Sequence, residues 1–164
     1  MTLEAGMTMR VAIFGSGYVG LVQAAVLSDA GHNVCCIDVD EERVEQLKNG
    51  VVPIYEPGLE KLVAENSFAG RLTFTTSAEH ELNRSDVIFI AVGTPQDQDG
   101  SADLNYVLAV ASEIGKYIHE DKVVVNKSTV PVGTAQAVEC EIKLQLSRRG
   151  SVSYTHLTLP TNGL

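Results

Sequence analysis

The chain is short of basic residues, of cysteine pairs and of long apolar runs, and each shortage removes a class of function. Twelve lysines and arginines stand against 21 acidic residues, a formal net charge of −9. That excess repels phosphate backbones, so nucleic acid is not an expected partner. No apolar run approaches the ~20 residues that span a bilayer. Met1 to Arg10 holds no basic stretch leading into an apolar core and a small-residue cleavage site. Neither a membrane span nor export is expected, and the expected location is cytoplasmic. The three cysteines show no CxxC spacing, and His32, His80, His119 and His156 are scattered. No metal site is therefore expected. Cys35, Cys36 and Cys140 read as small buried hydrophobes of a reducing compartment, the first two pointing to opposite faces of one strand.

What is present is an alternation. A chain of 164 residues, 45% hydrophobic and 20% charged, has the balance of an ordinary single globular domain. Val11-Ala12-Ile13-Phe14 is an apolar run ended by glycine, the pattern of a strand buried on both faces. Val19 to Ala30 has helical spacing, with Gly31 as its stop. Val34 to Ile37 is a second strand, and Asp40 caps a helix running toward Gly50. After a Pro53/Pro57/Gly58 turn, Leu59 to Ala64 forms a short helix. Leu72 to Thr75 is a third strand, less apolar and so near a sheet edge. Ser77 begins another short helix. Val87 to Val92 is the strongest strand pattern. Leu104 to Tyr117 is helical, with Leu104, Val107, Leu108, Ala111 and Ile114 on one face. Val123 to Val125 is the fifth strand, and a final helix runs from Thr134 to Arg148-Arg149-Gly150. The βαβα order predicts an α/β fold, a doubly wound parallel (Rossmann) sheet with helices on both faces.

Three segments follow. Residues 1–8 are expected to be a loose extension, and 9–150 the dinucleotide-binding domain. A sixth strand is due in 151–164, but the Thr/Ser content and Pro160 do not suit a central strand. That tail is expected to be foreign to the fold or disordered, with the sheet truncated before or at the sixth strand.

Gly15-Ser16-Gly17-Tyr18-Val19-Gly20 is a GxGxxG turn after a buried strand and before a helix, the context in which it seats a dinucleotide pyrophosphate. Gly15 permits the tight turn, Gly17 lets the backbone approach the anion, and Gly20 lets helix and strand pack closely. Free N–H groups and the positive helix end then hold the phosphates. Asp38 ends the second strand at about the 20-residue spacing of the carboxylate that binds the adenosine ribose, and its charge opposes a 2′-phosphate. NAD is thus the expected cofactor rather than NADP. Arg43, one turn into the next helix, either reaches the ribose or is simply solvated. In a doubly wound sheet the first and fourth strands are neighbours. The loops Gly93-Thr94-Pro95 and Lys127-Ser128-Thr129-Val130-Pro131 should therefore flank the nicotinamide half. Thr94 and Ser128 suit turn formation and capping as well as binding, and their place at the switch point favours binding.

Taken in order, GSGYVGLV, CIDVDEERV, PIYEPGLE, FIAVGTP, GSADLNYVLAVASEIG and NKSTVPVGT resemble the UDP-glucose 6-dehydrogenases of the UDP-glucose/GDP-mannose dehydrogenase family, from about Met9 to Gly150. GDP-mannose dehydrogenases typically read STVLPGT where this chain has STVPVGT, so UDP-sugar oxidation is preferred. The resemblance implies oxidation of UDP-glucose to UDP-glucuronate with two NAD, in a homo-oligomeric full-length enzyme. It implies cofactor contacts from Gly15 through Gly20, Asp38, Arg43, Thr94 and Thr129. It also implies a catalytic role for Thr129 in positioning a water or proton donor, which suits a hydroxyl that both donates and accepts. The family's FGGSCFPKD-like cysteine stretch and its NPEFL glutamate are absent, as is the UDP-sugar domain. The expectation is the NAD-binding half of an oxidoreductase, inactive by itself. The alternatives are a stand-alone NAD-binding module, or the same half of a GDP-mannose or other nucleotide-sugar dehydrogenase.

Overall fold

Five short apolar runs assemble into one parallel sheet in the order β3-β2-β1-β4-β5. The computed structural model describes residues 6–98 and 100–150. Its strands are β1 (Arg10–Phe14), β2 (Asn33–Ile37), β3 (Leu72–Thr75), β4 (Val87–Ile90) and β5 (Val123–Asn126). Its helices are α1 (Tyr18–Asp29), α2 (Glu41–Lys48), α3 (Leu59–Phe68), α4 (Glu79–Arg84), α5 (Asn105–Tyr117) and α6 (Thr134–Arg148). The central β1 pairs Phe14 with Ile37 on one side and with Ile90 on the other, so three strand ends meet at one level. That is the doubly wound arrangement, with β3 at an edge as its exposed Thr73 requires.

Alternate side chains of each strand feed two cores. Ile13, Val34, Cys36 and Leu72 pack with Leu21, Val44 and Val63 of α1, α2 and α3. Phe14, Cys35, Ile88 and Val124 pack with Leu82, Val107, Ile114 and Ile142 of α4, α5 and α6. Cys35 and Cys36 thus face opposite cores, as strand alternation dictates. Cys140 does not follow the buried reading. It lies on the exposed side of α6, where Val138, Ile142 and Leu146 take the inward positions.

Several boundaries move, each for a local reason. α3 runs on to Phe68 because Asn66 is fully buried, donating to Leu62 O (2.9 Å) and Asp29 Oδ1 (3.3 Å). Its amide oxygen accepts from Arg71 Nε at 2.9 Å, tying the helix end to β3. α4 starts at Glu79, not Ser77, whose N–H is held in a turn by Thr75 Oγ1 at 3.1 Å. β4 stops at Ile90, after which Ala91 N still reaches Phe14 O (2.8 Å) before the chain turns away. The inward face of α5 is Val107, Val110, Ala111, Ile114 and Gly115, while Leu104 caps the helix and Leu108 is only half-buried. α6 ends as expected, with Gly150 at φ +72°. The expectation for 151–164, including the sixth strand, lies outside the described residues, as does most of the 1–8 extension.

Candidate dinucleotide site

The glycine turn is built by exclusion. Gly15 has φ +98°, a conformation a side chain rarely tolerates, and a Cβ there would overlap the Ala91 carbonyl. A Cβ on Gly20 would overlap the Gly15 carbonyl oxygen outright and lie 2.9 Å from its carbon. Gly17 is the opposite case. Nothing lies within 4 Å of a Cβ built on it, so this glycine faces open space. Gly17 also caps α1 with its backbone, and the first helical bond runs from Leu21 N to Gly17 O at 2.9 Å. The N–H groups of Gly17, Tyr18 and Val19 precede that bond, so the helix itself offers them no carbonyl partner. A chain with no acidic residue in this first turn leaves the positive helix end uncompensated.

Asp38 sits just beyond β2, with its carboxylate turned back to the glycine turn. Oδ2 accepts from Ser16 N at 2.8 Å and from Ser16 Oγ at 2.5 Å, and Oδ1 accepts from Asp40 N at 3.0 Å. Burial works against its charge, but these three donors and the nearby Arg43 cation outweigh it, so the Asp38 carboxyl stays below the usual carboxylate range. Asp40 caps α2 by accepting from Arg43 N at 3.0 Å. Tyr18 projects outward and its hydroxyl donates to Glu56 at 3.0 Å, joining the turn to the Pro53–Gly58 loop.

A crevice of about 450 Å³ opens at the carboxyl ends of β1, β2 and β4. Gly15, Gly17, Asp38, Arg43 and Gly93 line it, and the Arg43 side chain is also 41% exposed, which suits both readings of it. Ser16 and Gly20 lie buried beneath the turn, and Tyr18 and Val19 are exposed on its rim. The remaining residues singled out from the sequence form a second group. Thr94 Oγ1 donates to Thr129 O at 2.8 Å, which clasps the loop after β4 to the loop after β5. Ser128 Oγ donates to Val92 O at 2.8 Å and its N–H takes Asn126 Oδ1 at 3.0 Å, so this hydroxyl holds the loop crossing. Pro95 O accepts from Asp103 N at 2.8 Å. Thr129 itself is exposed.

This geometry agrees with what the chain resembles. The model of the UDP-glucose/GDP-mannose dehydrogenase family, NAD binding domain, matches residues 9–160. The chain belongs to this family. A UDP-glucose 6-dehydrogenase of Pseudomonas aeruginosa is 53% identical over 141 residues, 86% of this chain and 31% of that protein. Among solved structures, a GDP-mannose dehydrogenase ternary complex from Pseudomonas aeruginosa superposes with TM-score 0.79 at 42% identity, covering 87% of this chain and 33% of the other. A UDP-glucose dehydrogenase from Pyrobaculum islandicum gives TM-score 0.81 at 35% identity, covering 97% and 36%. The chain therefore spans about a third of the length of the curated relatives it matches.

NAD is the cofactor of this domain of the family, and the residues present fit it. The turn offers open backbone at Gly17, where an anion must approach, and has no room for a side chain at Gly15 or Gly20. Sequence reasoning missed much of the crevice wall. Val39 and Thr76 come from the strand ends, Ala78 from the start of α4, and Tyr106, Ala109, Val110 and Glu113 from α5. The α5 set repeats at three and four residues, the same spacing as the core stripe, so periodicity did not tell the two faces apart. Val39 gave no such signal, since its 90% exposure directly beyond a buried strand is visible only in the fold.

Proposed function

We propose that this chain is the NAD-binding part of an enzyme that oxidises UDP-glucose to UDP-glucuronate with two NAD. The observation that carries the reading is the crevice joining Gly17's open backbone to an ionised Asp38. When bound there, NAD supplies the acceptor for the hydride. The N–H groups of Gly17, Tyr18 and Val19 hold the pyrophosphate, with Gly15 and Gly20 shaping the turn and Ser16 beneath it. Asp38 takes the adenosine ribose and Arg43 borders it. Val39, Tyr106, Ala109 and Val110 give the adenine an apolar slot. Gly93, Thr94, Pro95, Ser128 and Thr129 flank the nicotinamide half, where Thr129's hydroxyl positions a water or proton donor near the reacting carbon. The 53% identity to a UDP-glucose 6-dehydrogenase supports the sugar, as does STVPVGT at 128–134.

Residues 9–150 form the functional unit of this reading, and the full-length enzyme is a homo-oligomer acting in the cytoplasm. Among the described residues no helix is long and apolar enough to cross a membrane. The likeness to a GDP-mannose dehydrogenase complex is the observation that keeps a second sugar nucleotide open. Titrating the chain with NAD and NADP tests the cofactor half, and equal affinities would remove Asp38 from its role. The chain alone should form no NADH from UDP-glucose, because it holds neither the UDP-sugar domain nor the FGGSCFPKD-like cysteine stretch, Cys35 and Cys36 are buried thiols pushed toward the protonated form, and Cys140 lies on the outer side of α6. Steady NADH formation would refute that. Sequencing the source gene past Gly150 tests the oxidoreductase reading. NPEFL-like and FGGSCFPKD-like stretches support it, and their absence favours an NAD-binding module.

A further inference from the structure

The pairing of Ser16 with Asp38 carries more than a fold contact. A carboxylate has about four acceptor positions. Three are taken by the protein: Ser16 N and Oγ on Oδ2, and Asp40 N on Oδ1. Ser16 is 1% exposed, so neither its N–H nor its hydroxyl competes with water for Asp38. About one acceptor position remains, on Oδ1, at the wall of the crevice.

We propose that Ser16 sets the cofactor preference of this chain through Asp38, by pinning Oδ2 and leaving Oδ1 alone to meet the adenosine ribose. The inference rests on the dinucleotide reading above and refines it. Asp38 then accepts from a single ribose hydroxyl, and a 2′-phosphate would meet an oxygen with no proton to offer. Ser16 is a positioning residue, since it lies beneath the turn and acts only through the carboxylate. The hydroxyl also keeps Asp38 charged, because it donates to the ionised form. The other charged or titratable groups around Asp38 are Arg43 and Asp40 of the α2 start, Cys36 of β2 and Glu113 across the crevice on α5. Of these Arg43 also favours the charge.

The test uses the 164-residue chain and its Ser16→Ala variant, which removes the hydroxyl and adds no volume. NAD and NADP affinities are measured by calorimetry, and Asp38 is titrated by its side-chain carboxyl ¹³C shift. The expected result is a loss of NAD affinity of about 3- to 10-fold with little change for NADP. The Asp38 titration, and with it the acid limb of NAD binding, should move to higher pH. A folded variant with both the NAD/NADP ratio and the Asp38 titration unchanged overturns the proposal. A changed ratio with an unmoved titration also overturns it, by showing that Ser16 meets the cofactor directly. A parent chain that fails to prefer NAD removes the underlying cofactor reading instead, and this inference with it.

Discussion

Adding one methyl group to the glycine turn should have opposite consequences at two positions. In Gly20→Ala the new Cβ overlaps the Gly15 carbonyl oxygen, and lies 2.9 Å from its carbon and 3.5 Å from Ala91 Cβ. Backbone, not a flexible side chain, has to move. Overpacking of this kind costs about 1–3 kcal/mol. Alanine gains about 0.5–1 kcal/mol over glycine inside a helix. An overlap with backbone this complete belongs in the upper half of that range, so the net loss is about 1–2.5 kcal/mol, or a melting temperature lower by about 2–10 °C for a domain of this size. The displaced turn carries the Gly17, Tyr18 and Val19 N–H groups, so NAD affinity should also fall by roughly 10-fold or more. In Gly17→Ala the Cβ meets nothing within 4 Å and φ is an ordinary −72°. Stability should change by less than about 1 kcal/mol, the scale of a helix-cap substitution. The methyl group stands where the pyrophosphate must approach, and NAD affinity should fall by at least roughly 100-fold, the loss of two charge-assisted hydrogen bonds. Thermal denaturation without cofactor and calorimetric NAD titration read the two effects separately. Parent-like melting of Gly20→Ala, or parent-like NAD binding by Gly17→Ala, would refute the reasoning.

Other outcomes follow from the same structure. Asp40→Ala should lower stability by about 1 kcal/mol in urea denaturation, since it removes the cap on Arg43 N, whereas Asp40→Asn should not. An unchanged midpoint in Asp40→Ala would deny the cap its role. In the native chain one thiol, Cys140, should react rapidly with a disulfide reagent, and all three only after unfolding. Burial holds the Cys35 thiol up at about 11, and Cys36 higher still, so fast labelling of either in the native state would contradict the packing. The depressed Asp38 carboxyl contributes stability that is complete above its ordinary value of about 3.9. That contribution is lost as pH falls through the lower folded value. Asp38→Asn should remove this part of the acid sensitivity, and a parent-like acid transition in the variant would count against it.

Local pattern alone determined the frame of this protein. Apolar runs ended by glycine declare strands and turns, and the strand-turn-helix around Gly15–Gly20 with Asp38 beyond declares a dinucleotide site, because each signal lies within one element or its neighbour. The family was legible for the same reason, as short motifs in order. What only the tertiary structure decided are contacts between segments far apart in the chain. That Ser16 holds Asp38 depends on β1 lying beside β2, and that Thr94 clasps Thr129 depends on β4 lying beside β5. Asn66 extends α3 only because Asp29 and Arg71 meet it there. The polar loop residues could bind or cap, and periodicity cannot separate these, since a hydroxyl's partner is set by geometry rather than by its own type. The α5 wall of the crevice was hidden because one helix presents two useful faces, and only its packing on the sheet shows which one is core.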